Sequence, residues 1–337
     1  RLKNKMTQGA LGRLSLVGLA FIVILYGAYV RLTDAGLGCP DWPGCYGKLV
    51  VSDLNSPNFN FAPGMDYGKA YREMVHRYLA GLLGFGILVL FSCYWINGHS
   101  RKFFSAETML LPMIMFQAFL GLLTVTLLLK PLIVTGHLIG GFVTLSLLWW
   151  SFLRNRFSPV KTVSLPAFYR PFIIFCLVIL SIQIFLGGWT STNYAALACT
   201  DLPNCQGVLI PNLDFKQAFT LWRGIGQNFE YGVLDSIART TIHFTHRVWA
   251  IVTAIAIVGL VVYTLVACDK KLKIMASIVC GILIAQVLLG VTNVLANLPI
   301  YIAVAHNGVA ALLVLGLLTM FFMTIKADTK ESVENVC

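Results

Sequence analysis

Apolar and polar positions alternate in long blocks along this chain. Eight apolar blocks approach the roughly 20 residues that a helix needs to cross the hydrocarbon of a bilayer. They lie at about 14–30, 74–96, 109–129, 132–153, 172–189, 246–267, 274–295 and 300–325. The polar stretches between them are short, except for two of about 40 residues or more at roughly 32–72 and 192–239, both rich in Gly, Pro, Asp and Asn; connections of such length are uncommon unless they serve a function or form a cap. The first block follows Arg1, Lys3, Lys5 and Arg13 in the manner of a signal peptide. No clear small-residue cleavage site follows it, so it is expected to be a retained helix. Composition agrees with the pattern. At 58% hydrophobic residues, 12% charged residues and a mean hydropathy of +0.79, too little polar surface exists to clothe a soluble globule.

The pattern is written twice. Cys39-Pro40-Asp41-Trp42-Pro43-Gly44-Cys45-Tyr46-Gly47 and Cys199-Thr200-Asp201-Leu202-Pro203-Asn204-Cys205-Gln206-Gly207 share the form C-x-D-x-P-x-C-x-G at an offset of 160 residues. Further on, His76-Arg77 returns as His246-Arg247 at an offset of 170. Gln117-x-x-x-Gly121 returns as Gln286-x-x-x-Gly290, and His137 as His306, both at 169. Each copy holds four apolar blocks, an even number, so the second copy enters the membrane in the same direction as the first. The expected fold is an all-α polytopic membrane protein of eight transmembrane helices. It forms two parallel-repeat four-helix bundles related by a pseudo-twofold axis along the membrane normal. The expected division is 1–153, a basic linker at 154–170 containing Pro159 and Pro166, and 171–337.

Charge sets the orientation. With the amino terminus inside, the inner segments hold 15 of the 25 Lys and Arg residues and only five of the 14 acids. That asymmetry is the positive-inside signature of a cytoplasmic membrane protein with both termini cytoplasmic. The net charge of +11 is therefore explained by topology and anionic lipid, and nucleic acid is not an expected partner. Cysteines sort the same way. Cys39, Cys45, Cys199 and Cys205 lie in the two long outer segments and the other five near inner helix ends or in the tail, which predicts two short-range disulfides, Cys39–Cys45 and Cys199–Cys205. A zinc site is disfavoured because neither pair has further ligands at a familiar spacing.

Four of the six histidines, His76, His137, His246 and His306, open apolar blocks in register with the duplication. An ionisable residue in a span is costly unless it is paired or ligating. Two matched pairs from alternate helices of each bundle fit two bis-histidine haem sites, His76 with His137 and His246 with His306. Arg31, Arg77 and Arg247, at or beside the same helix ends, are candidates for contact with haem propionates. Trp149, Trp150, Trp189 and Trp249 are read as interfacial aromatics. The copies also differ. Glu73 lies one turn before His76, on its face of the helix, where a carboxylate can accept a proton, position water or stabilise developing positive charge. At the equivalent position the second copy has His243, which leaves open a ligand shift from His246 to His243. Such asymmetry points to one site that works on substrate and one that transfers electrons.

Taken together, Glu73-x-x-His76-Arg77, Thr135-Gly136-His137, the duplicated cysteine loops, His246-Arg247 and His306-Asn307-Gly308 resemble the haem A synthase family over essentially the whole chain. The paired loop cysteines are similar to bacterial members. That resemblance implies oxidation of the C8 methyl group of haem O, through an alcohol, to the formyl group of haem A for terminal oxidases. It further implies that His76 and His137 receive haem O, that Glu73 is the required carboxylate, and that His246 and His306 hold a b-type haem for electron transfer. Cys39 and Cys45 match the first-loop pair of the family. Candidate partners are haem O, membrane lipid, an electron donor or acceptor, haem O synthase and a second copy of the chain. The competing reading is a dihaem b-type electron carrier or quinol-linked cytochrome, which needs the same four histidines but no Glu73. A secondary transporter would need charged groups or broken helices near mid-membrane, and these blocks have few.

Overall fold

The computed structural model describes residues 2–51, 65–96, 104–157 and 165–325, with side chains from residue 9 onward. Among these residues the chain is all-helical: α1 (Leu2–Leu32), α2 (Tyr67–Ile96), α3 (Ala106–Thr126), α4 (Pro131–Arg156), α5 (Tyr169–Thr192), the short α6 (Phe215–Ala218), α7 (Ser236–Ala267), α8 (Lys270–Leu295) and α9 (Ile300–Met323). All but α6 are long and apolar enough to cross a membrane, and the protein is a multi-pass membrane protein. The Pro159 and Lys161 part of the expected linker lies outside the described residues, as does the whole tail after Ile325.

Local chemistry fixes the helix starts. Asp235 caps α7 by accepting the Ala238 amide at 2.7 Å, and Asp269 caps α8 through the Leu272 amide at 3.2 Å. Pro131, whose missing N–H is not needed in a first turn, opens α4. Two starts fall earlier than hydropathy indicates. Helix α2 begins at Tyr67 rather than near residue 74, and α7 at Ser236 rather than near 246. The added turns are polar, so no apolar window reveals them; they are helical because the outer loops pack and hydrogen-bond against them. Accordingly Glu73, His76 and His246 are interior helical residues. His76 lies nine residues into α2 and His246 ten into α7, roughly 14 and 15 Å along their axes at 1.5 Å per residue.

The duplication extends to single backbone dihedrals. Positive φ values recur at Asp34 (48°) and Tyr194 (53°), at Tyr46 (50°) and Gln206 (56°), and at Gly47 (74°) and Gly207 (80°). They recur also at the two tight helix turns, Leu128 (50°) with Leu129 (59°) and Asn297 (57°) with Leu298 (59°). Leucine rarely adopts this conformation, so three leucines held there mark turns fixed by their surroundings.

Residues at or next to equivalent positions of the two copies also meet. The Tyr194 hydroxyl donates to Asp34 Oδ1 at 2.9 Å, Arg31 Nη2 donates to the Ser191 carbonyl at 2.6 Å, and Trp149 Nε1 donates to Thr319 Oγ1 at 2.9 Å. Close helix approach accompanies these bonds. A Cβ on Gly308 of α9 would stand 2.6 Å from Leu25 of α1, and one on Gly188 of α5 would stand 2.9 Å from Leu138 of α4. Lipid gives little hydrophobic drive to such contacts, so small residues and interhelical hydrogen bonds carry them. One apolar core joins α5, α7, α8 and α9. A second joins α1–α4 and takes Ala310, Ala311 and Leu315 from α9. The last helix thus belongs to both. Near the start of α1, Arg13 is buried, donating Nε to Ser151 Oγ at 2.9 Å, while Ser151 donates to Glu107 at 2.6 Å, which ties α1, α3 and α4 together.

Candidate functional site

Each of the four histidines faces a glycine on the neighbouring helix of its own half. A Cβ on Gly27 of α1 would stand 2.9 Å from His76 Cε1, and one on Gly121 of α3 would stand 3.6 Å from His137 Cε1. In the second half a Cβ on Gly187 of α5 would stand 3.2 Å from His246 Cε1, and one on Gly290 of α8 would stand 3.1 Å from His306 Cε1. Four helices per half therefore build one seat: two carry imidazoles, and two carry the glycines that make room for them. His137 lies within electrostatic reach of His76, and His306 within reach of His246.

Nδ1 of His76, His137 and His306 is buried with no hydrogen-bond partner. His246 Nδ1 lies 3.2 Å from Gln183 Nε2, which also donates to the His246 carbonyl at 3.3 Å, and His306 Nε2 lies 3.3 Å from Gln286 Nε2. At the position equivalent to Gln183, α1 has Val23. Tyr26 stacks beside His76, with ring centroids 6.5 Å apart and planes 15° apart. No group of three or more His, Cys, Asp or Glu side chains among the described residues could hold a bare metal ion. Two imidazoles alone suit an iron whose other positions are filled by a porphyrin, and buried nitrogens without partners fit such a ligand.

The copies diverge one turn outward. Glu73, only 5% exposed, accepts the Cys39 amide on Oε2 at 2.8 Å and pairs with Arg77 through Oε1. His243, 4% exposed, takes the same place: its Nδ1 meets the Cys199 amide at 3.2 Å and its Nε2 meets Arg247 Nε at 3.3 Å. A carboxylate can accept both donors. A neutral imidazole has one acceptor nitrogen and can satisfy one of the two at a time. His243 thus faces the loop amide with one nitrogen and Arg247 of its own helix with the other, and it is His246 that faces the glycine of α5.

Both outer loops are knotted alike, and the repeated motif explains how. The disulfides Cys39–Cys45 and Cys199–Cys205 close them. Asp41 accepts the amides of Tyr46 (2.6 Å) and Gly47 (2.8 Å), and Asp201 those of Gln206 (2.7 Å) and Gly207 (2.8 Å). The Gly207 amide, the largest influence, holds the Asp201 carboxyl below the usual carboxylate range against desolvation, with a lesser contribution from the Gln206 amide. This contact is complete above the ordinary carboxylate pKa and is lost as pH falls through the depressed value.

Arg77 Nη1 donates to the carbonyls of Asp41 (2.8 Å), Pro43 (3.2 Å) and Gly44. Arg247 donates to those of Asp201 (2.8 Å), Asn204 (3.1 Å) and Cys199. Arg31 reaches across to Ser191 and lies 4.1 Å from the centre of the Tyr194 ring. The three arginines expected at propionates thus brace loops and the contact between halves. The tryptophans, too, are packing residues: Trp189 is 2% exposed and donates to the Ala218 carbonyl, and Trp249 donates to that of Ile179. Sequence reasoning did not single out Gly27, Gly187, Gln183 or Tyr26. The second Q-x-x-x-G, Gln183 to Gly187, was the available signal.

A family model described as cytochrome oxidase assembly protein, COX15-CtaA, matches residues 13–318. The chain is 43% identical over 337 residues to a protein of Shewanella oneidensis named Heme A synthase, covering 95% of this chain and 98% of that one. Proteins of the same name from Erythrobacter litoralis and Halalkalibacterium halodurans are 26% and 25% identical. The first alignment covers 88% of this chain and 91% of the relative, the second 90% and 92%.

Proposed function

The chain belongs to the COX15-CtaA family of cytochrome oxidase assembly proteins, and on that premise we propose a division of labour between its two histidine pairs. It acts as a haem A synthase, an oxidoreductase that takes the C8 methyl group of haem O through an alcohol to the formyl group of haem A. His76 and His137 receive haem O, and His246 and His306 hold a b-type haem. When bound, the latter supplies reversible one-electron transfer. The observation that carries this assignment is the exchange of Glu73 for His243 in otherwise matched surroundings. Only the first seat has a carboxylate beside its ligand.

Hydrogen-bonded at both oxygens, Glu73 is a fixed group rather than a mobile base. Its place suits it to favour positive charge developing on the substrate as the methyl group is oxidised. The knotted loop that it holds covers the outer end of α2 and limits water there. His76, with no partner on Nδ1, is a less constrained ligand than His246, which Gln183 holds. That difference fits a substrate that must leave against a cofactor that must stay, because a side chain packed against the ring and its main-chain carbonyl limits how far the imidazole can turn.

The two halves act as parallel repeats about an axis along the membrane normal, supported by the matched φ values and the Asp34–Tyr194 and Trp149–Thr319 contacts. The basic inner segments support a bacterial cytoplasmic membrane with both termini inside and both seats toward the outer face.

Supplying haem O to membranes that contain the protein, then extracting and separating the haems, tests the assignment. Hydroxylated and formylated haem is the expected product. Unchanged haem O in protein whose haem still cycles between redox states would contradict it and favour an electron carrier.

A further inference from the structure

We propose that Arg72 and Arg239 are the carboxylate anchors of the two seats, Arg72 for the propionates of haem O and Arg239 for those of the b-type haem. The proposal rests on the two-seat reading above. Its starting point is an inventory of outer cations. Arg31, Arg77, Arg223 and Arg247 all donate to backbone carbonyls, Lys69 pairs with Glu230, and Lys130 reaches the Gly224 carbonyl. Arg72 and Arg239 differ. The Nε of each is buried without a partner, and neither side chain makes a hydrogen bond or ion pair among the described residues. Both residues are only partly buried, but a guanidinium presents five N–H donors and stays charged, so one whose Nε is shut off from water without an acceptor has a donor left over for an anion.

Both arginines share a helix face with the histidine of their seat. Arg72 precedes His76 by four residues, one turn outward on the same face of α2, and lies within electrostatic reach of Tyr26, whose ring stacks beside His76. Arg239 precedes His246 by seven residues, two turns outward on the same face of α7. Nearby acids are engaged elsewhere: Glu73 with Arg77, Glu230 with Lys69, and Asp235 at the α7 cap. Asp66, whose Oδ1 shares the surroundings of Gly68 with Arg72 Nη1, accepts the Lys69 amide at 3.0 Å, so each seat carries, on the face of its ligand, an arginine with no ion pair among the described residues. The two arginines are not equivalent under the repeat offset, so the two haems would meet their anchors one and two turns from the ligand, and the duplication motif does not reveal them.

The test compares haem with its dimethyl ester, which lacks the carboxylates. Full-length protein freed of haem is titrated in detergent and followed at the Soret band. The His76→Ala background isolates the second seat with haem b, and the His246→Ala background isolates the first with haem O. With Arg239 intact, the second seat should prefer the free acid by roughly tenfold or more, the scale of a charge-assisted hydrogen bond. Arg239→Ala should remove that preference and Arg239→Lys restore part of it; Arg72→Ala should do the same at the first seat. Equal binding of acid and ester with the arginines intact, or a preference that survives in the Ala variants, overturns the proposal. Should an Ala variant elute as aggregate, Arg→Gln takes its place, and the comparison with the arginine intact stands without either. Failure of the two-seat reading looks different: haem b would then bind undiminished when His246 is also replaced.

Discussion

Replacing His246 by Ala is expected to strip the b-type haem from the purified protein and to end product formation. His246 is the best-held of the four imidazoles, with Gln183 on its Nδ1 and main-chain carbonyl and the open side of Gly187 against its Cε1 edge. On the proposed assignment the seat would offer iron two protein ligands, so loss of one leaves a single imidazole. Even disturbance of a group behind a ligand typically costs about 10–100-fold in metal affinity, and removal of the ligand itself should cost more. The low-spin bis-histidine spectrum is the readout. His243 is not available as a substitute, because its ring nitrogens face the Cys199 amide and Arg247. Survival of the bis-histidine signal in His246→Ala would show that His243 can leave its loop and ligate, and would contradict the assignment.

Glu73→Ala is the second large effect: no oxidised haem O, with the spectrum of the second seat unchanged. The Ala variant deprives the Cys39 amide and Arg77 of their acceptor together. Arg77 keeps its loop carbonyls, but a buried donor left unpaired, as the Cys39 amide would be, costs about 1–3 kcal/mol, so the first knotted loop should loosen. All the affected groups lie in the first half, which is why the second-half haem should persist; its loss would make Glu73 a residue of global stability. Glu73→His separates bracing from charge because it copies the second half. The imidazole can take the Cys39 amide as His243 takes that of Cys199, so the loop should remain closed while product is still lost. Normal turnover in Glu73→His would mean that the carboxylate charge is not required.

The lipid-facing design of this chain was largely readable from its amino acids, because hydropathy reports spans directly and the duplicated motif reports the knots. All eight expected spans correspond to helices, and both cysteine pairs are bonded. The beginnings of α2 and α7 were not readable. Residues such as Arg72 and Thr240 are helical through their loops and caps rather than through apolar periodicity. Nor were the arginine partners. Position beside a histidine suggested propionate contact for Arg77 and Arg247, yet their side chains turn to carbonyls 33 to 48 residues away in sequence. Lys130 is a similar case. It reads as a polar turn residue, but is 1% exposed beneath the second outer loop, its Nζ 3.4 Å from the centre of the Trp222 ring. Contacts of that range have no local signature. Glu73 and His243 were legible as a difference between copies, while their shared hold on a cysteine amide needed the fold.

The most direct test of the account is the haem count of protein loaded with both haem O and haem b, measured by pyridine extraction against protein concentration. Two haems per chain are predicted, with His76→Ala and His246→Ala each removing a different one. A single haem lost in both variants would contradict it, since all four imidazoles would then serve one site.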